Sequence, residues 1–281
     1  IEDCAEARDI SGCTTADITD PPYSAVRTAS TEAVFESSPN WGNVSDTCGI
    51  VTVEYKDVAV GSCPMTVTRT WYFKDACGNE SSCNQIINVD DNINPTPTCP
   101  ANITQSNATG VCGATVTFSG SATDNCSGMP VITYSKNSGT FFNVGITTVT
   151  MTATDGCGNS ATCTFTVTVN DTTKPTVITK PVTLYLNALG TATLLTANVN
   201  NGSYDNCAIT SLTLSKTSFN CSNIGPNVVT LTAKDAANNM GMNTAVVTIL
   251  DTLKPNVTCK NITVDLVNGT KTITPIQVRL T

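Results

Sequence analysis

Aspartates and cysteines are the residues of this chain whose types and spacing could do chemistry. Asp91, Asp171 and Asp251 recur at intervals of 80 residues, and so do Asp75, Asp155 and Asp235. Asp124 and Asp205 each open an Asp-Asn-Cys triplet in between. Carboxylates are hard oxygen donors, and three of them with nearby amide and backbone carbonyls make the kind of set that calcium takes in groups of roughly six to eight. The competing reading is plain turn chemistry, because Asp and Asn side chains bond their own backbone and close loops. The fourteen cysteines show no CxxC spacing and are accompanied by no histidine. Thiols in that number without metal-site spacing are expected to be disulfides formed in an oxidising compartment.

A chain without histidine cannot run Ser-His or Cys-His catalysis or build a histidine metal site. Neither GxSxG, a P-loop nor a strand followed by GxGxxG is present. The carboxylates recur once per repeat, whereas a catalytic pair would stand once in the chain. The expectation is therefore a non-enzymatic protein.

The elements that would position these residues are short strands in a repeating unit. Each unit ends in a strand followed by Asp-x-x-x-Pro, namely Asp91 to Pro95, Asp171 to Pro175 and Asp251 to Pro255. Proline cannot extend a ladder, so these are the linkers. A fixed period of this length means an array. The units are expected at 1–92, 93–172 and 173–252, with the start of a fourth at 253–281. The first has a divergent N-terminal half. Cys163-Thr-Phe-Thr-Val-Thr-Val169 alternates apolar and Thr positions, the pattern of a half-buried strand, and Val149, Met151 and Ala153 do the same. Asp155-Gly-Cys-Gly-Asn159 is a turn signal between the two. Short strands with frequent turns in units of this size predict an all-β chain, a tandem series of immunoglobulin-like β-sandwich domains in an elongated array.

Net charge is −8 and 13% of residues are charged. That balance excludes nucleic acid and anionic membrane surfaces as partners, because both require basic patches. No apolar run of about 18 residues offers a membrane span. The chain begins at Ile1 without a basic-then-apolar leader, so a leader is expected to have been removed or to lie outside this segment. The expected localisation is extracellular, secreted or at the cell surface.

The second unit resembles the hyalin repeat (HYR) domain through Cys99-Pro100, Ala122-Thr-Asp124-Asn-Cys126, Phe142-Asn-Val-Gly145, Ala153-Thr-Asp155, Gly158-Asn159 and Cys163-Thr-Phe-Thr-Val167. The third unit keeps the skeleton at Tyr204-Asp205-Asn-Cys207, Ile224-Gly225 and Ala233-Lys-Asp235. The resemblance covers about 46–281 and implies an immunoglobulin-like fold and a role in adhesion. In their Thr- and Asn-rich style the repeats also resemble SprB-type giant surface adhesins of gliding bacteria. The function so implied is a structural spacer or stalk of a secreted bacterial cell-surface adhesin, with a role in gliding motility. The alternative is a module that itself binds carbohydrate or protein, its ligand a surface polysaccharide or a protein. Neighbouring repeats of the same chain are the other expected partners.

In a sandwich of this type the loop after the second strand, the loop before the last strand and the incoming linker share one end. Asp91, Asp124 and Asp155 are thus expected to converge at the first joint, and Asp171, Asp205 and Asp235 at the second, as two calcium sites. The third unit lacks both the early cysteines (99, 112) and the late ones (157, 163). This joint loss favours early-to-late bonding and Cys99–Cys163 in particular; the local pairs Cys99–Cys112 and Cys157–Cys163 stay open. Internal oxidation of the third unit would pair Cys207 with Cys221, and Cys48 with Cys63 by correspondence. The second unit has an odd count, which leaves Cys112 or Cys126 over. Asp171-Thr-Thr173 and Asp251-Thr-Leu253 resemble the sites at which gliding bacteria and their relatives O-glycosylate exported proteins, with Thr172 and Thr252 as acceptors. Trp71 takes the core place of Met151. Trp41, in Pro39-Asn-Trp-Gly42, is the candidate ligand-binding aromatic.

Overall fold

The computed structural model describes residues 3–126 and 128–257, together with Thr263 and Asn268. The expected fourth repeat at 253–281 therefore lies almost wholly outside the described residues. Contacts divide the chain into two compact units, Ile1–Ala108 with Cys112–Asn170, and Thr109–Val111 with Asp171–Thr281. The first unit contains the first two repeats and the second contains the third.

The first repeat is one five-stranded sheet. Its strands are β1 (Arg8–Ser11), β2 (Thr28–Ser30), β3 (Ile50–Val60), β4 (Met65–Asp75) and β5 (Glu80–Asp90), in the order β1-β5-β4-β3-β2. Among the described residues no second sheet faces it, so the sandwich expected for 1–92 is not formed there. The face is covered instead by irregular chain, a 3-10 turn at Thr15–Asp17 that follows β1, and the one-and-a-half-turn helix α1 (Glu32–Glu36), capped by the Thr31 side chain. Ile18 and Phe35 are the plugs of this cover, both fully buried. Phe35 packs edge-on against Trp71 and Phe73 at centroid separations of 5.2 and 4.7 Å.

The second repeat is a sandwich. It is built from β6 (Thr96–Thr98), β7 (Ile103–Ser106), β8 (Gly113–Val116), β9 (Ser121–Thr123), β10 (Val131–Tyr134), β11 (Thr140–Asn143), β12 (Gly145–Thr154) and β13 (Ser160–Asn170). A four-stranded sheet β10-β12-β13-β7 faces the pair β11-β8, and β6 pairs with β9. The alternation in the sequence does the sorting. Val149, Met151 and Ala153 of β12 and Phe165, Val167 and Val169 of β13 are buried, while the intervening threonines are more exposed. Ala114, Val116 and Phe142 meet them from the small sheet.

The third repeat follows the same plan in β14 (Val182–Tyr185), β15 (Thr191–Thr193), β16 (Ile209–Leu214), β17 (Ser218–Asn220), β18 (Gly225–Asp235) and β19 (Met240–Leu250), plus the short helix α2 (Thr196–Val199). Its sheets are β14-β19-β18-β16 and β15-β17. The chain is thus all-β, a tandem series of immunoglobulin-like layers. Among the described residues no helix is long and apolar enough to cross a membrane.

All three repeats pair an early strand parallel to their last one, β1 with β5, β7 with β13 and β14 with β19. A brace locks this closure. Cys4 ahead of β1 bonds Cys83 of β5, and Cys99 ahead of β7 bonds Cys163 of β13. Eighty residues on from Cys99 and Cys163 stand Thr179 and Asn243. There hydrogen bonds replace the sulfur bridge: Thr179 donates to the Thr244 carbonyl at 2.6 Å and Asn243 to the Val177 carbonyl at 3.1 Å.

On β4 one inward position breaks the apolar pattern. Strand β4 buries Val67, Trp71 and Phe73, and between them Arg69. Its guanidinium donates to both oxygens of Asp57 on β3 at 2.8 Å and to the Pro22 carbonyl at 3.2 Å, and it lies over the Tyr55 ring. Both side chains of the ion pair are wholly buried. Removing one partner leaves an uncompensated buried charge, so Asp57→Ala is expected to destabilise the first repeat by about 3–5 kcal/mol. Replacing the pair together by Asp57→Leu and Arg69→Met is expected to recover most of that loss. Urea unfolding followed by the fluorescence of buried Trp71 reads both.

Candidate metal centre

The turn between β12 and β13 is set by Asp155. Its Oδ1 accepts from the amides of Cys157 and Asn159, both at 2.8 Å, and its Oδ2 accepts from the Asn159 side chain at 2.9 Å. Gly158 takes a positive φ of 95° to complete the turn. Desolvation works against ionisation of Asp155, but the Asn159 and Cys157 hydrogen bonds outweigh it and hold the carboxyl below the usual range. The same device recurs at Asp75 with Asn79 and Cys77, and at Asp235 with Asn239. In the third copy Asn238 supplies the positive φ.

Asp124 follows β9, and its Oδ2 accepts from the Cys126 amide at 3.1 Å. Asp91 is the first residue after β5 and is 3% exposed. Its Oδ1 accepts from the Ile93 amide at 3.0 Å and the Asn125 side chain at 3.2 Å. The Asn159 side chain also donates to the Asp91 backbone carbonyl, at 2.6 Å. Together these bonds bring one carboxylate oxygen each of Asp91, Asp124 and Asp155 within 4.8 Å of one another.

Two oxygens of this cluster are buried without a hydrogen-bond partner, Asp91 Oδ2 and Asp124 Oδ1. Buried acceptors without donors are costly. At 4.8 Å two full charges repel by on the order of 3 kcal/mol with an effective dielectric of about 20. The trio borders a cavity of about 280 Å³ with Met129, Cys126 and Cys157 on its wall. The donor set is hard oxygen throughout, which fits a calcium-type ion and not a soft metal. Asp91, Asp124 and Asp155 would hold it, with the two orphaned oxygens as the first ligands.

The third repeat repeats the wiring. Asp171, Asp205 and Asp235 offer oxygens within 4.8 Å of one another. Asn206 donates to Asp171 Oδ1 at 3.3 Å, Asn239 donates to the Asp171 carbonyl at 3.1 Å, and Asp205 Oδ1 and Asn206 Oδ1 are the buried atoms without partners.

Two disulfides frame the first cluster. Cys13, in the turn after β1, bonds Cys126, and Cys63, in the turn between β3 and β4, bonds Cys157. Both run from the first repeat to the second. The expected Cys48–Cys63 and Cys207–Cys221 bonds are not formed: Cys63 is taken by Cys157, and Cys48 and Cys221 are exposed free thiols. The reason is geometric. Cys48 and Cys63 flank the two ends of β3, an 11-residue strand, on the order of 30 Å apart. Cys207 stands ahead of β16 near Asp235, whereas Cys221 stands ahead of Gly225 at the other end of β18. A disulfide requires Cα atoms within about 7 Å. The local alternatives Cys99–Cys112 and Cys157–Cys163 are also not formed, since Cys163 bonds Cys99. The odd cysteine count of the second repeat shows that its cysteines cannot all pair with one another, and Cys126 and Cys157 both bond the first repeat.

The remaining candidates contribute no oxygen to either trio. Thr172 and Thr252 are exposed in their linkers. Trp41 is 57% exposed in the turn after α1, with φ of 54°. Trp71 is fully buried.

Residues 90–169 match the HYR domain family. Hyalin of Strongylocentrotus purpuratus is 36% identical over 205 residues, which cover 67% of this chain and 17% of that protein. Hyalin of Lytechinus variegatus is 34% identical over 151 residues, 52% of this chain and 28% of that protein. The chain therefore spans well under half the length of either relative. Among solved structures, the EC1-3 fragment of protocadherin gamma C5 is 16% identical, with 68% of this chain and 77% of that chain covered and a TM-score of 0.33. The I67–I69 I-band fragment of titin is 10% identical, with 89% and 97% covered and a TM-score of 0.31. The sandwich of the second repeat, with the buried Asp91 that leads into it, is the segment similar to the HYR domain family.

Proposed function

We propose that this chain is a non-catalytic spacer in an extracellular adhesion protein, a run of hyalin-type repeats whose joints are held stiff. The observation that carries the reading is the pair Cys13–Cys126 and Cys63–Cys157, two covalent ties that cross from one repeat to the next. A single tie leaves a hinge; two ties on either side of a buried linker residue do not. Bonds of this kind persist only in an oxidising compartment, which supports secretion. Low charge and Thr-rich exposed strand faces suit a surface that spaces rather than grips. The Thr- and Asn-rich style supports a bacterial cell-surface adhesin of the gliding type as the parent protein.

The first joint in this reading also holds a calcium-type cation on Asp91, Asp124 and Asp155. The ion would relieve the repulsion among the three carboxylates and partner the two orphaned oxygens. The linker would then be fixed by sulfur and by charge at once.

Two measurements test these statements. Hydrogen exchange across residues 91–95 is expected to be slow in the oxidised chain and to rise at least tenfold in a Cys13→Ser, Cys126→Ser, Cys63→Ser, Cys157→Ser variant, with exchange in β12 and β13 unchanged. Equal exchange in the two proteins would remove the spacer reading. For the cation, free calcium at 100 times its dissociation constant is expected to stabilise the fold by about 2.7 kcal/mol. Asp124→Asn should abolish the part of that gain that belongs to the first joint. A melting temperature indifferent to calcium and EDTA would reduce the cluster to turn chemistry.

A further inference from the structure

The segment ahead of β3 and the turn after β4 share one end of the first repeat, because Ile50, which opens β3, pairs with Asp75, which closes β4. Cys48 lies two residues before Ile50 and Cys77 two residues beyond Asp75. Both are exposed free thiols.

The second repeat has cysteines in the same two places. Cys126 follows Asp124 by two residues and gives its amide to that carboxylate, as Cys48 does to Asp46 at 2.7 Å. Cys157 gives its amide to Asp155 at 2.8 Å, as Cys77 does to Asp75 at the same distance. In the second repeat neither thiol is free and the two are not bonded to each other. Cys126 is taken by Cys13 and Cys157 by Cys63, both from the repeat ahead of it.

We propose that Cys48 and Cys77 form a two-point socket for another hyalin-type repeat, which stacks on this end and supplies one cysteine at the place Cys13 holds and one at the place Cys63 holds. The occupant is defined by the internal copy: the only chemistry that fills these two positions within the described residues is a repeat of the same kind. The acidic residues agree with this. Asp46 and Asp75 hold the places of Asp124 and Asp155, and the counterpart of Asp91 would arrive with the stacked repeat, since Asp91 belongs to the linker that leaves the first repeat. A docked repeat would complete both the sulfur frame and the acidic trio.

Each bond forms by thiol–disulfide exchange with a disulfide oxidant of the oxidised-glutathione class. One cysteine thiolate attacks the oxidant and releases a first reduced thiol. The facing cysteine thiolate then displaces the second, and the protein S–S bond forms. Two protein thiols lose two electrons and two protons in all, and one oxidant disulfide becomes two thiols.

The inference extends the spacer reading but rests on cysteine positions alone. Loss of the cation, or a mobile first joint, would leave it standing. The test is non-reducing peptide mapping of the native secreted protein, alkylated before digestion. The peptides that carry Cys48 and Cys77 are each expected to be linked to a different cysteine peptide from outside residues 1–281. The mass of the intact, unreduced protein then separates a repeat of the same polypeptide from one of a second copy. A Cys48–Cys77 link, or quantitative alkylation of both without prior reduction, would overturn the proposal. Cys13–Cys126 in the same digest is the positive control.

Discussion

The structure depends on how the chain passes from one repeat to the next around a single buried residue, Asp91. Its backbone carbonyl is held by Asn159 and its carboxylate by Asn125 and the Ile93 amide, so both halves of the residue are committed to the repeat that follows. A linker tied down in this way cannot swing, and every other feature of the joint follows. Asp124 and Asp155 must come close because the turns that present them also carry the asparagine donors. The two disulfides can form because the turns that hold Cys126 and Cys157 are then presented to the repeat before them.

Closure of each repeat is a separate problem with two solutions. An early strand that runs parallel to the last strand is a short edge element and needs a tie. In the first two repeats the tie is covalent, Cys4–Cys83 and Cys99–Cys163. In the third, Thr179 and Asn243 reach backbone carbonyls instead. A disulfide constrains the unfolded chain and contributes typically about 2–4 kcal/mol, whereas a net hydrogen bond contributes about 1 kcal/mol. The first repeat adds a third device. Lacking a second sheet, it covers its core with irregular chain, and Arg69, buried with Asp57, pins that cover through the Pro22 carbonyl.

Sulfur and carboxylate occupy the same turns, and this links the structural and functional readings. The Asp-Asn-Cys triplet and the Asp-x-Cys turn each place a thiol two residues beyond a carboxylate whose oxygen caps that thiol's own amide. The geometry that collects charge is therefore the geometry that offers cysteines to a neighbour. A repeat built this way presents, at one end, a socket that is both acidic and oxidisable.

The sequence by itself determined the all-β class, the 80-residue period and the gathering of the two aspartate trios. Each of these is local or periodic: alternation places side chains on alternate faces of a strand, and equal spacing puts equivalent loops at equivalent ends. The Cys99–Cys163 brace was legible for the same reason, since joint absence from the third repeat marked the two cysteines as a set. The remaining disulfides were decided only in three dimensions. Cys48 resembles Cys207 and Cys63 resembles Cys221 in order along the chain, but an 11-residue strand holds the members of each pair at opposite ends, and sequence order carries no information about which end faces which repeat. The buried Arg69–Asp57 pair and the single sheet of the first repeat were hidden likewise. An arginine at an inward strand position becomes tolerable only when a carboxylate on the neighbouring strand and a carbonyl from distant chain meet it, and register and tertiary packing alone supply both.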